Sequence, residues 1–340
     1  AILSPGTIPF TGATLNITGG LALNGNTIYC DMSNSPAGAN DKIAVGGSLA
    51  LTGTQYFQFL LLQGTLTEGT YDLITATNSS ASGVSLTHNL PTDSRQTFAL
   101  ARSAAGSNPS KVWLTVTGTP ATLTWTGTTS GSWDTITANN WTGATPNTFY
   151  NNDDVILNDT AVTRNVTLTG TLAPRTAVVT TTLGYNLSGT GSLGGNASIT
   201  KNGTGTLTLS NTTANAFTGG LTLNQGNITL ANDTLNANGL GTGPVTLNGG
   251  VLSMYDNVST YSSFNAALVV PTGATARINA DQRVDVYGTL SGGGTLNFYV
   301  PYVRTTLFSN WSAFTGTINV LTDSSGGDFR IGSSYSYPGF

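Results

Sequence analysis

The sequence predicts an all-β protein built as a parallel β-helix, with an additional β region on its N-terminal side. Three observations carry that expectation. The composition is emptied of helix formers, Thr alternates with aliphatic residues in short runs, and those runs recur with glycine-marked corners between them.

Composition comes first because it sets what the chain can build. Of 340 residues, 43 are Gly, and Thr, Ser and Asn make up most of the polar remainder. Glu occurs once, at Glu68, and Lys at Lys42, Lys111 and Lys201. The absent residues are strong helix formers, whereas Thr favours strands and Gly and Asn favour turns. Disorder is the other fate of a Gly/Ser/Thr-rich chain. Here 38% apolar residues, 9% aromatics and a net charge of -4 leave enough hydrophobic surface for a core.

Charge then excludes functions. Asp, Glu, Lys and Arg make up 8% of the chain, against about 25% in a typical soluble domain. Three scattered lysines cannot displace counterions from a run of phosphates, so nucleic acid is excluded as a main partner. The charge-free run from Ile43 to Thr67 contains one dense apolar piece, Phe57 to Leu62, far short of the roughly 20 residues of a membrane helix. No membrane-spanning segment is expected. Cys30 is the single cysteine and reads as a small buried apolar side chain, which leaves no intramolecular disulfide and no cysteine-based zinc cluster.

The alternation is clear at Thr206-Leu207-Thr208-Leu209, Leu221-Thr222-Leu223, Ile228-Thr229-Leu230, Val245-Thr246-Leu247 and Val166-Thr167-Leu168-Thr169. Period two puts the aliphatics on one sheet face and the threonines on the other. The runs follow one another too closely for helices to intervene, which leaves a sandwich, a barrel or a solenoid. Repetition favours the solenoid. Gly203-Thr204-Gly205 before one run is echoed by Gly241-Thr242-Gly243-Pro244 before another and by Gly292-Gly293-Gly294 before Thr295-Leu296. A unit of roughly 20 to 25 residues fits one coil stacked on the last around a shared core.

From Gly189 to Leu230 the chain closely resembles the autotransporter-associated β-strand repeat of bacterial surface-protein passengers. The resemblance rests on Ser198-Ile199-Thr200-Lys201-Asn202-Gly203-Thr204-Gly205-Thr206-Leu207-Thr208-Leu209 leading into Phe217-Thr218-Gly219-Gly220. Upstream, Trp125-Thr126-Gly127, Gly131-Ser132-Trp133-Asp134, Asn140-Trp141, Pro146 and Asp153-Asp154-Val155 look like the module that often precedes such repeats. Asp41 to Leu49 and Gly69 to Ile74 look like strands of the same large proteins. The resemblance implies a right-handed β-helix, secreted and displayed at the bacterial cell surface, with a structural or adhesive role. A membrane barrel of ten or more strands does not fit in 340 residues beside these repeats. The chain is therefore expected to be a processed passenger, a fragment or a relative exported by another route.

Three stretches are expected: a β region over 1–118, a Trp-containing β module over 119–185, and the β-helix over 186–340. No catalytic residue, metal or cofactor is assigned. Asp153 and Asp154 are adjacent and read as a turn, whereas Asp281, Arg283 and Asp285 share a strand face and read as an exposed, salt-bridged edge. His88 is the single histidine, too few for a multi-histidine metal site. Gly189-Thr190-Gly191-Ser192-Leu193-Gly194 matches a dinucleotide fingerprint by letters, but no strand-to-helix unit surrounds it, so it reads as a corner.

Trp125, Trp133 and Trp141, spaced eight apart, are candidates for a sugar-stacking strip or for core packing and capping. Tyr335, Tyr337 and Phe340 are candidates for docking on a neighbouring subunit. Strand faces rich in Thr, Ser and Asn lack the charges that discourage edge pairing. A solenoid with uncapped ends therefore associates head to tail into a filament. The expected function is a non-enzymatic extracellular structural protein, a fibre subunit or adhesin-type passenger that forms homo-oligomers or homopolymers and touches surface glycans or other cells. The alternative is a carbohydrate-binding or carbohydrate-degrading β-helix. Ice binding through rows of threonine is a third reading, weakened by the irregular sequence spacing of the Thr pairs.

Overall fold

The computed structural model describes residues 2–6, 12–62, 64–231, 239–254, 262–280, 283–301, 304–323 and 326–332. The described residues contain no helix, and nearly all strand pairing is parallel. The chain is a β-solenoid, folded as two compact units, Ala1–Pro120 and Ala121–Phe340. The Trp-containing stretch and the repeats that follow it belong to one unit.

In the first unit, β1 (Ile2–Leu3), β2 (Thr14–Ile17) and β3 (Leu21–Asn24) form the three sides of a first coil. β4 (Thr27–Met32) lies on β1, and the long β5 (Lys42–Leu61) bends past Gly46 and Gly47 and past Gly53 to serve three sides in turn. Thr14–Ile17 pair with Lys42–Val45, Leu21–Asn24 with Leu49–Thr52, and Thr27–Met32 with Tyr56–Leu61. β6 (Gly69–His88) lies parallel on β5 with two register shifts. β7 (Thr97–Arg102) and β8 (Ser110–Thr117) are antiparallel, and β8 covers the first part of β6. Ile43, Val45, Leu49, Leu51, Phe57 and Leu114 are among the residues of this unit's core.

The second unit repeats a three-sided coil. Its opening coil has β9 (Thr122–Trp125) and β10 (Ser132–Trp133), and β11 (Trp141–Thr142) pairs antiparallel with β9. The next coils are β12 (Asp154–Asn158), β13 (Asn165–Leu168) and β14 (Thr171–Leu172), then β15 (Thr176–Thr180), β16 (Tyr185–Gly189) and β17 (Ser192–Leu193). β18 (Ser198–Asn202) with β19 (Thr206–Leu209), β20 (Leu221–Leu223) with β21 (Asn227–Leu230), and β22 (Val245–Leu247) with β23 (Val251–Met254) continue two sides. The third side resumes with β24 (Ser262–Phe264). After it come β25 (Leu268–Val270), β26 (Thr275–Ala280) and β27 (Val284–Val286), then β28 (Leu290–Gly292), β29 (Thr295–Tyr299) and β30 (Arg304–Leu307). β31 (Ala313–Phe314), β32 (Thr317–Leu321) and β33 (Asp328–Ile331) form the last described coil.

These strands build a nine-stranded sheet, a ten-stranded sheet and a shorter third side. Ala177, Ile199, Leu221, Val245 and Leu268 stand in register one above another, so a coil takes roughly 22 to 24 residues, within the period expected of a solenoid repeat. The alternation works as sterics require. In β19, Leu207 and Leu209 are fully buried and Thr206 and Thr208 are not. The Gly203-Thr204-Gly205 corner before β19 needs both glycines. Gly203 has φ of 73°, and a Cβ on Gly205 would lie 1.6 Å from the carbonyl oxygen of Leu183 in the coil below.

Candidate functional site

The three tryptophans form a plug. β9 turns Leu123 and Trp125 inward, and the buried Asn140 side chain holds the following turn by accepting from the N–H groups of Thr129 and Ser130 at 3.1 and 2.8 Å. That turn brings β11 back across β9. Trp141 packs edge to face on Trp125 and on Trp133, with ring centroids 5.0 and 5.1 Å apart, and Phe149 meets Trp133 at 5.4 Å. Trp125, Trp133 and Phe149 are completely buried, and the Trp125 indole donates to the carbonyl of Thr163 at 2.7 Å. No aromatic face is left for a sugar. Burial of all three rings fits packing in the core.

The carboxylates tie coils together. Asp153 is buried and accepts from the N–H of Ala121 at 2.8 Å and of Tyr150 at 3.0 Å. Asp154 accepts from Arg175 and Thr176 of the next coil, at 2.9 Å from Nε and 2.7 Å from Oγ1. Partial burial raises its pKa, but these hydrogen bonds and the guanidinium charge outweigh it, and the net direction is downward. Asp159 accepts from both the backbone and side chain of Thr182 and from the Thr181 hydroxyl, which hold its carboxyl well below the usual range. In the first unit Asp41 accepts from Ala13 N–H at 2.7 Å and Asp31 N–H at 2.9 Å.

The expected exposed edge at Asp281, Arg283 and Asp285 is corrected. Val284 and Val286 do face the core as the alternation requires, but Asp285 is itself buried, at 4% exposure. Asp281 lies outside the described residues. Cys30 is buried, and burial, then Asp41 and Asp31, push its thiol pKa up, away from reactivity. His88 ends β6, half-buried, with Nδ1 accepting from Leu90 N–H at 3.2 Å. Gly189–Gly194 runs from the last residue of β16 through a corner at Thr190 and Gly191 into β17, with no helix after it. Among the described residues no group of three or more His, Cys, Asp or Glu is placed to hold a metal ion.

Lys201 is a residue that sequence reasoning passed over. It occupies an inward position between Val179 and Leu223, fully buried, and its ammonium donates to the carbonyls of Asn202, Gly203 and Gln225 at 2.8, 2.7 and 3.2 Å. Burial lowers its pKa, with Asp159 opposing. The signal was parity: Ile199-Thr200-Lys201 puts the lysine on the face of Ile199.

The wet faces carry ordered columns. Asn224 donates to Asn202 at 2.8 Å and Asn248 to Asn224 at 2.7 Å, and Asn319 donates to Asn297 at 2.9 Å. Thr200, Thr222 and Thr246 stand in register on three successive coils, so the irregular sequence spacing does not prevent a threonine row; Val178 and Val269 bound it. Variable turns absorb the difference in spacing.

The ends of the described coils differ most from the interior. In β32, Ile318 and Val320 continue the inward columns of Leu296 and Phe298, which are fully buried, yet Val320 is 48% exposed. Ile331 continues the column of buried Leu307 and is 44% exposed. In the first coil Leu15, Ile17 and Leu21 are half-buried, whereas their neighbours Ile43, Val45 and Leu49 are buried. Among the described residues no strand pairs with the outer edges of β1, β2 and β3, nor with those of β31, β32 and β33. Tyr335, Tyr337 and Phe340, expected at this kind of surface, lie outside the described residues. No protein-family model, curated protein or solved structure matches the chain.

Proposed function

We propose that the chain is a non-enzymatic structural protein, a β-solenoid subunit of an extracellular fibre or an adhesin-type passenger at a bacterial surface, which associates end to end. The carrying observation is the nearly half-exposed inward positions Val320 and Ile331, beside Phe298 and Leu307 of the preceding coil, which are fully buried. Apolar side chains and unpaired strand edges together form the template that β-pairing completes. Carboxylates are bound to backbone and hydroxyl donors across turns and coils, and hydroxyl and amide columns cover the strands between them, as suits a weakly charged solenoid surface. The resemblance of residues 189–230 to passenger repeats supports the surface location.

Sedimentation velocity and electron microscopy of the purified chain test this reading. Species that lengthen with concentration are expected. Uniform monomers at high concentration would overturn it.

A further inference from the structure

We infer that the last coil of one copy receives the first coil of a second copy as its next level, with β31 against β1, β32 against β2 and β33 against β3. The inference rests on the end-to-end association proposed above and specifies its register.

The side-chain patterns carry it. β29 reads Thr295-Leu296-Asn297-Phe298 and β32 reads Thr317-Ile318-Asn319-Val320, stacked residue on residue, with Asn319 donating to Asn297. β2 reads Thr14-Leu15-Asn16-Ile17. It is the same order of Thr, aliphatic, Asn and aliphatic, with Thr14 and Asn16 exposed and Leu15 and Ile17 half-buried on the core side. Placed as the next level, Asn16 extends the Asn297–Asn319 ladder, Leu15 covers Ile318 and Ile17 covers Val320.

The other two sides agree. Phe329 and Ile331 of β33 meet Leu21 and Leu23 of β3, which point inward in their own coil, and Phe314 of β31 meets Leu3 of β1. Direction agrees as well. Strands stack in parallel along each unit, with the free edges of β1–β3 facing the level that precedes them and those of β31–β33 facing the level that follows. β1, β2, β3, β31 and β32 carry no charged residue, and in β33 Asp328 is paired with Arg330 at 2.6 Å. The charged protection usual for an edge strand is missing from five of these six strands, and in β33 it is a single neutralised pair. Because the two surfaces are different, the contact is heterologous and leaves each copy a free surface for a further one.

The test is a cysteine pair in the full chain. In-register strands lie about 4.8 Å apart, within the Cα separation a disulfide spans. Asn16→Cys with Asn319→Cys is compared with the shifted pair Ile2→Cys with Asn319→Cys, and with each single variant; the native Cys30 is buried. Asn16 and Asn319 are exposed, and far-UV circular dichroism checks that folding is retained. Under mild oxidation the matched pair is expected to give a disulfide-linked ladder beyond the dimer, at least tenfold more than the shifted pair. If the unmodified chain lengthens in sedimentation but the matched pair gives no ladder, or no more than the shifted pair, the register is overturned and end-to-end association stands. If the unmodified chain does not associate at all, both fall.

Discussion

The opening and last coils of the second unit obey one side-chain rule and end in opposite ways. At the opening coil, inward-facing Leu123 and Trp125 are completely buried because β11 folds back antiparallel and lays Trp141 over them. At the last described coil, inward-facing Val320 and Ile331, on the other two sides, are nearly half exposed, and Phe314, on the side of Trp125, is half-buried. The first unit has the same asymmetry reversed in chain order, with half-buried Leu15 and Ile17 in its first coil and antiparallel β8 over part of β6. Sealing takes a reversal of strand direction and bulky aromatics. Where strands stay parallel, the coil offers the same inward columns that hold it to its neighbour.

Breaking the sealed end is expected to have the largest effect. Trp141→Ala removes a ring that contacts Trp125, Trp133 and Phe149, and should cost about 3–5 kcal/mol, measured as a drop in the urea midpoint; a loss under about 1 kcal/mol would show that the plug is not what seals the coil. Lys201→Met tests the interior between the ends. It strips three corner carbonyls of their donor, and about 2–3 kcal/mol of destabilisation is expected from buried unsatisfied groups. A neutral result would mean that water replaces the ammonium.

Acid probes the ties between coils. Because the folded-state pKa of Asp154 is lowered, its contribution is present above the unfolded value and is lost as pH falls below about 4 and through the folded pKa. Asp154→Asn should flatten the fall of Tm with acid, and an unchanged slope would remove that carboxylate from the account. At the open end, Val320→Lys should change stability by no more than about 0.5 kcal/mol while abolishing lengthening in sedimentation. Retained association would place the contact elsewhere.

Much of the coil was legible in the sequence because period two maps directly onto inside and outside. Leu207, Leu209, Leu221, Leu223, Ile228 and Leu230 are buried as their alternation requires. The solenoid nature of the first unit was harder to read. β5 and β6 each run through three sides as one long strand, and the corners are marked by Gly46, Gly47 and Gly53 instead of turn clusters. Asp285 was misread because alternation separates core from outer face but does not say whether the outer face is covered. Thr200, Thr222 and Thr246 fall into register only once turn lengths are known. The shared pattern of β2 and β32 was visible in the letters, but its meaning needed both strands to be placed at free edges.

Amide hydrogen exchange of the whole chain at low and high concentration tests most directly whether unequal ends drive assembly. Protection is expected to rise with concentration at Thr14–Ile17 and Thr317–Leu321, with Thr122–Trp125 unchanged. Concentration-independent exchange at both open edges, or new protection at the tryptophan plug instead, would contradict the account.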